Sequence, residues 1–335
     1  MKAVVVTKYG PYNEATVSDI PIPSAAAGEV VIKVDAAPVN FVDLIVISGK
    51  YQFLPKLPFT PGKGPSGVVH AVGAGVAELV VGDRVLAMAE MGGYADYCAV
   101  SASQCYKLPN ALSLRQAAAM SLTFDTSWFA LRERARIQPG DTVLVLGATG
   151  GVGGASVQLA KAMGARVLAG VSNVEKAQYL KAFGADAIVD LSRPNLRDSL
   201  RAQVHEHTEG RGVDIVLDPL GGDFFDAALR ALAWCGRLVV IGFAAGRIPS
   251  VKANYLLVKN IEVTGLQVSD YRKRRPHQVR ECYREIFSLL ERGEIAPIPV
   301  TELPLTEFRE ALHRIETRNA QGRVVLLPSH SMELA

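Results

Sequence analysis

The sequence predicts an α/β protein of two domains: a small antiparallel barrel or sandwich first, then a doubly wound domain built on a parallel sheet. Three observations predict it. The chain has 335 residues, more than one compact core usually serves. Up to about residue 120, Gly and Pro punctuate short β-branched runs every 8 to 12 positions or so, the spacing of an all-β module. After Leu114, helical lengths alternate with short, wholly apolar runs, as expected of strands covered by helices on both faces.

In chain order, the expected strands of the first domain are Ala3–Val6, Val30–Val34, Gly67–Val72, Val81–Ala87 and Tyr94–Val100. Those of the second are Thr142–Leu146, Arg166–Val171, Ala187–Val189, Val213–Leu217, Arg237–Ile241 and Ile261–Thr264. Between them, Val152, Ala155, Leu159 and Met163 recur at helical steps, as do Phe225, Leu229 and Leu232. Past Gly265 come a polar stretch, Ser269 to His277, a helix from about Val279 to Arg292, a Pro-rich link, another helix and a final strand within Gly322–Leu327. A strand arriving after a complete α/β sheet can return to the first domain. There is no internal repeat.

Composition excludes several classes. At 49% hydrophobic and 21% charged the chain is neither disordered nor fibrous. Thirty-six Lys and Arg against 33 Asp and Glu give +3, too balanced for a dedicated nucleic-acid binder. Cys98, Cys105, Cys235 and Cys282 form no C-x-x-C pair, so structural disulfides and zinc knuckles are not expected. The start lacks the apolar core of a signal peptide, and no run of about 18 apolar residues follows. The expected setting is a reducing, cytoplasmic one, with no membrane segment.

The most informative stretch is Thr142 to Gly154: an apolar strand, a turn with Gly147, Gly150 and Gly153 at three-residue steps, and an amphipathic helix. Glycines there let backbone approach a pyrophosphate without Cβ interference, and unsatisfied N–H groups at the helix start, carrying about half a positive charge from the macrodipole, hold the anion. Thr149, Gly151 and Val152 lie on the same turn. The competing reading is a glycine-rich turn without a ligand. The next strand ends in Ser172-Asn173, with Lys176 beyond, where an NAD site places an acidic residue for the ribose 2′-hydroxyl. A neutral tip with a nearby cation selects a 2′-phosphate and hence NADPH; Lys176 as an ordinary solvated helix residue is the alternative. Asp218 to Gly222 and Ile241 to Ala244 end further strands on that crevice, with Gly242 and Phe243 facing the cofactor unless Phe243 simply caps the core.

At this point the chain resembles the medium-chain dehydrogenase/reductase superfamily and, within it, the zinc-independent NADPH:quinone reductases of the zeta-crystallin type. The resemblance covers nearly the whole chain. It rests on Val39-Asn40-Phe41-Val42-Asp43 with Ser48-Gly49-Lys50-Tyr51, on Leu57 to Gly62, Gly82-Asp83-Arg84-Val85, the Gly147 to Gly153 turn, and Gly322-Arg323-Val324-Val325-Leu326. It implies a GroES-like barrel domain from both chain ends, residues 1–124 and 266–335, and an inserted Rossmann domain, residues 125–265. It also implies a homodimer paired through a Rossmann edge, for which Ile261–Leu266 is the candidate, and it brings Asp43 and Arg323 to the cofactor.

Zinc alcohol dehydrogenases of this superfamily place Cys where Asn40 stands and a His-Glu pair where Lys63-Gly64 stands. The implied site therefore holds no metal. Without a Lewis acid it suits substrates already electrophilic, a quinone or an α,β-unsaturated carbonyl, whose oxygen becomes negative on hydride transfer and needs donors aimed at it; the alternative is reduction of an enoyl thioester or haloacrylate-type alkene rather than a quinone. The resemblance places Asn40 and Tyr51 beside nicotinamide and substrate, with Thr123 near the nicotinamide. Tyr51 is either a polarising or proton-delivering phenol or a stacking wall; Asp43 is either near the cofactor or a capping carboxylate. Ile45 and Ile47 depart from the Tyr- and Arg-containing pattern common in the family, and such an apolar wall favours an enone over a polar quinone. Leu191 stands where some members place a Tyr against the adenosine phosphate.

Arg272-Lys273-Arg274-Arg275 is open to two readings, a solvated helix entrance or a grip on the phosphates of RNA or a CoA thioester. An RNA-binding or crystallin-like protein that binds NADPH without turnover is thus the non-enzymatic alternative, nucleic acid being the less expected partner.

Overall fold

The computed structural model describes residues 1–320 and 322–332, apart from the side chain of Lys176. The strands are β1 (Lys2–Val5), β2 (Thr16–Asp19), β3 (Glu29–Pro38), β4 (Ser66–Val72), β5 (Arg84–Ala87), β6 (Tyr97–Ser101), β7 (Cys105–Lys107), β8 (Thr142–Leu146), β9 (Arg166–Val171), β10 (Ala187–Asp190), β11 (Val213–Asp218), β12 (Leu232–Val240), β13 (Glu262–Gly265), β14 (Val300–Pro304) and β15 (Arg323–Leu327). The helices are α1 (Phe41–Ile47), α2 (Leu114–Met120), α3 (Thr123–Phe129), α4 (Gly151–Ala162), α5 (Tyr179–Ala182), α6 (Leu196–His207), α7 (Gly222–Ala231), α8 (Ala253–Lys259), α9 (Val268–Arg274), α10 (Pro276–Glu291), α11 (Phe308–Glu316) and α12 (Ser329–Met332).

Two compact units result. Residues 1–122, 272–283 and 297–335 make the first; residues 123–271 and 284–296 make the second. The division differs from the boundaries read in the sequence, because 123–124, 266–271 and 284–296 group with the parallel sheet; for the last of these, Glu285 accepts from Trp128 Nε1 at 2.8 Å, and Gln158 accepts from the Ala296 N–H at 2.7 Å.

The first unit is a mixed sheet in the order β14-β15-β3-β4-β5-β7, parallel between β14 and β15 and antiparallel elsewhere, with β6 also antiparallel on β3 and a separate antiparallel β1-β2 pair. The returning C-terminal strand does join it: Val325 and Leu326 of β15 pair with Pro38 and Ala37 of β3. Alternation on β3 puts Val30, Ile32 and Val34 into one core with Val85, Phe308 and Leu326. The run read as Val81–Ala87 is shorter, since Val80 and Val81 lie exposed in the preceding turn. Strands β2, β7 and β14, each of three to five residues, have no expected counterpart.

The second unit is a six-stranded parallel sheet in the order β10-β9-β8-β11-β12-β13, the arrangement of a doubly wound dinucleotide-binding fold with its topological switch between β8 and β11. Every residue of β8 is buried, which is why its sequence shows no polar alternation. Leu232, expected on a helix, instead opens β12. The polar stretch Ser269–His277 is helical through α9 and the start of α10. Among the described residues no helix is long and apolar enough to cross a membrane, and the four cysteines are free thiols, of which only Cys235 is exposed. Burial pushes the Cys98 and Cys105 thiols up to about 12.

If the C-terminal strand completes the first core, Leu326→Ala, at a fully buried position, should lower stability by about 2–5 kcal/mol. Urea unfolding followed by circular dichroism checks this; an unchanged midpoint would mean that β15 is peripheral.

Candidate active site

In the first unit the site grows from the junction of β3 and α1. Asn40 is the N-cap of α1, and its backbone N–H donates to Asp43 Oδ2 at 2.9 Å. Tyr94, wholly buried, donates its hydroxyl to the same oxygen at 3.0 Å. From the far end of the chain, Arg323 donates Nη2 to Asn40 Oδ1 at 2.7 Å and Nε to the Ala119 carbonyl at 3.0 Å. Since a guanidinium only donates, the Asn40 amide must turn its oxygen to Arg323; its NH₂ then faces the Pro38 and Lys63 carbonyls at 3.3 and 3.4 Å, long bonds that leave it a usable donor.

Lys63 follows immediately. Gly62 and Gly64 on either side have φ of +97° and +69°, and a Cβ on Gly62 would lie 2.3 Å from the Tyr94 ring, so the backbone can hold Lys63 here only between glycines. The Lys63 ammonium pairs with Glu90 Oε2 and lies 5.5 Å from the centre of the Tyr51 ring. Arg272 donates to the other oxygen of Glu90 at 3.0 Å. Tyr51 stands edge-on to Phe53, and Phe53, Leu54 and Leu57 are exposed apolar side chains on the same segment.

The structure therefore brings Asn40, Asp43, Tyr51 and Arg323 into one neighbourhood and adds Lys63, Glu90, Tyr94 and Arg272, which sequence reasoning missed as site residues. Lys63 had a signal, a cation between two glycines in an otherwise apolar run; Glu90 and Tyr94 had none, because they arrive from a distant loop. Two expectations need correction. Ile47 is a core residue with 1% exposure, since the α1 face that carries it packs inward, so it is no substrate wall. Arg272 is not a solvated cation: Glu90 draws its guanidinium inside, leaving the side chain 1% exposed, and the run 272–275 does not present four cations to a phosphate chain. Lys273 stacks over Phe53 at 4.8 Å.

In the second unit the glycine turn follows β8. Gly147 has φ of +62°, and a Cβ on Gly153 would lie 2.2 Å from the Gly147 carbonyl oxygen, so the first turn of α4 rests directly on the loop. Thr149 and Gly150 are exposed, and the N–H groups of Gly151, Val152 and Gly153 open the twelve-residue α4 without intrahelical acceptors. This cradle, which a side chain would fill, fits a pyrophosphate. Thr123, buried at the start of α3, is held near it: the Ser127 hydroxyl, with its single proton, lies between the Thr123 carbonyl at 2.7 Å and the Val152 carbonyl at 3.0 Å. Ser172 and Asn173 are exposed beyond the tip of β9; Lys176 lies in the turn Glu175–Ala177, its side chain outside the described residues. Gly242 follows β12, and Phe243 is 39% exposed, so it does not cap the core.

Across the switch point, Asp218 ends β11. Its Oδ1 accepts from the N–H groups of Leu220 and Gly221 at 2.8 and 2.9 Å, while Oδ2 is buried without a hydrogen-bond partner. Burial pushes this carboxyl up to about 6 against those two bonds. Among the described residues no three His, Cys, Asp or Glu side chains gather as a metal site.

Comparisons with known proteins agree with this layout. A family model described as alcohol dehydrogenase GroES-like domain matches residues 26–110, and one described as zinc-binding dehydrogenase matches residues 151–289. The quinone oxidoreductase-like protein 2 homolog of Nematostella vectensis is 38% identical over 301 residues, which cover 89% of this chain and 81% of that protein. A mycobacterial protein solved as a complex with NADPH superposes with a TM-score of 0.91 at 34% identity, over 98% of this chain and all of that one. The Escherichia coli quinone oxidoreductase complexed with NADPH gives 0.89 at 29% identity, again over 98% of this chain and all of that one.

Burial holds Asp43 at about 6, against the bonds from the Asn40 N–H and Tyr94 and the charge of Lys63. Because the folded value lies above the unfolded one, its contribution favours the fold below about pH 4 and is lost as pH rises through 6. Between pH 7.5 and 5 the wild type should therefore gain roughly 1 kcal/mol relative to Asp43→Asn, a difference measured by urea unfolding of both at the two pH values. A pH-independent gap would mean that Asp43 titrates normally.

Proposed function

Because the chain belongs to the quinone oxidoreductase family of medium-chain dehydrogenases/reductases, we propose that it is a zinc-independent, NADPH-dependent reductase of quinones or α,β-unsaturated carbonyls. The observation that carries the metal-free part is the residues at the three positions where the zinc enzymes hold their ligands: Asn40, Lys63 and Gly64, the last with no side chain to coordinate anything. An amide donor and an ammonium suit an oxygen gaining charge, and neither suits zinc at neutral pH.

NADPH supplies the hydride and leaves as NADP⁺; with one proton from solvent, a quinone becomes a hydroquinone and an enone a saturated ketone. The chain's own residues bind and orient. Gly147, Thr149 and the N–H groups from Gly150 to Gly153 take the pyrophosphate; Ser172, Asn173 and Lys176 take the 2′-phosphate; Gly242 and Phe243 border the nicotinamide half, where Thr123 also lies. Asn40, fixed by Arg323 and by Asp43, offers its NH₂ to the substrate oxygen. Tyr51 with Phe53, Leu54 and Leu57 forms an apolar surface matched to a flat conjugated ring. The burial of Arg272 speaks against the RNA-binding alternative.

A homodimer through the parallel sheet fits its open edge: β13 is the last strand, and Leu257 and Val258 of α8, just before it, are 78% and 74% exposed. Free thiols are compatible with a reducing cytoplasm.

Oxidation of NADPH, followed by absorbance in the presence of EDTA across a panel of quinones, enones and enoyl thioesters, is expected to show turnover with at least one class; none with any would overturn the reading. Lys176→Ala should raise the Michaelis constant for NADPH about tenfold and leave that for NADH unchanged, and equal effects would remove the 2′-phosphate assignment. In sedimentation velocity the wild type should run as a dimer and Val258→Asp as a monomer.

A further inference from the structure

The side chain of Lys63 is buried, 6% exposed, yet its protein partners do not use up its donors. An ammonium carries three N–H groups. Glu90 accepts one, and the Tyr51 ring, 5.5 Å from Nζ, faces the charge; among the described residues Lys63 makes no other side-chain contact of hydrogen-bond, ion-pair or ring type. A buried ammonium that serves only structure is normally saturated with acceptors, since each unsatisfied charged donor loses its hydration without return. The backbone is held by Gly62 and Gly64, whose positive φ and crowded Cα positions exclude other residues. Glu90 is held in turn from its second oxygen by Arg272. Lys63 also shares the neighbourhood of the Asn40 amide, which donates to its carbonyl, and of the Tyr51 ring.

We propose that Lys63 is the principal oxyanion donor of the site: its ammonium hydrogen-bonds the substrate oxygen that turns into a phenolate or enolate as the hydride arrives at carbon. The inference rests on the reductase reading above but makes its own claim, that this pocket binds a conjugated oxyanion. A fixed positive charge in a nearly dry site meets developing negative charge without reorganising, the condition under which such donors act most strongly. Glu90 and Arg272 are positioning residues: they hold Nζ in place and do not touch the substrate.

Two measurements separate this claim from the parent reading. The first titrates 4-nitrophenolate, a stable conjugated oxyanion, into the full-length protein with NADP⁺ present, and follows the shift of its visible band. The wild type should bind; Lys63→Met should bind at least about tenfold more weakly, and Lys63→Arg should recover part of the affinity. The second compares kcat across quinones and enones of decreasing electrophilicity. Lys63→Met should lose ~10²–10³-fold overall, with the loss growing as the product anion becomes more basic; Glu90→Gln should show a smaller loss with the same trend. If Lys63 only supported the fold, losses would be uniform along the series and phenolate affinity unchanged, and either result would overturn the proposal. If Lys63→Met does not fold, Lys63→Gln replaces it and is judged by the same two outcomes. A wild type that binds phenolate in a Lys63-dependent way but turns over no substrate would overturn the reductase reading and leave the oxyanion site standing; a wild type that binds no phenolate would overturn the oxyanion site alone.

Discussion

The hydrogen bond from Arg323 Nη2 to Asn40 Oδ1, 2.7 Å long and buried, is the contact on which the first unit's polar cluster depends. It joins the last strand to the cap of the first helix, so residues at opposite ends of the chain share one local order. Because the donor side admits only one orientation of the amide, the NH₂ turns to the Pro38 and Lys63 carbonyls, while the Asn40 backbone N–H independently ties the same residue to Asp43. Burial pulls Arg323 down to about 10, which still leaves it charged at neutral pH, with Asp43 as a nearby counter-charge. Buried charges of this kind contribute little net stability; removing either partner strands the other in a dry interior, and this is what fixes the geometry.

The glycine turn of the second unit reaches its order differently, with no charged side chain between Gly147 and Gly154. Its cradle is a matter of close approach: α4 sits so near the preceding loop that one position tolerates nothing larger than hydrogen. A Cβ on Gly147 would lie 3.1 Å from the Leu220 side chain across the switch point, so the loops after β8 and β11 pack closely against each other. Asp218, the last residue of β11, holds that second loop with one oxygen and leaves the other without a hydrogen bond. The two units thus show two ways of making a site, one by orienting a few buried polar groups and the other by removing side chains.

How much of this the sequence disclosed follows from the range of the forces involved. Parallel strands were legible because burial on both faces leaves an apolar run, and all six appear near their expected positions. The glycine turn was legible because strand, turn and helix are contiguous. The edge strands β2, β7 and β14 were not, since three to five residues give no periodicity to read. Nor was the fate of Arg272: a run of four cations looks solvated until Glu90, 182 residues earlier in the chain, is seen to claim one of them. Ile47 misled for the same reason, as a local pattern cannot say which face of a seven-residue helix turns inward. Lys63 was noted only for the ligand it replaces; its pairing is a long-range fact.

The state of the thiols has a chemical corollary. Quinones and enones are themselves alkylating agents that attack cysteine through its thiolate. At about 12, the Cys98 and Cys105 sulfurs are ionised to the extent of about one part in 10⁵ near pH 7, so an electrophile that wandered into the β-sheet unit would meet inert sulfur. Cys235, on the surface in the first half of β12, has no such shelter from burial, and any adduct formed during prolonged exposure to electrophiles would collect there.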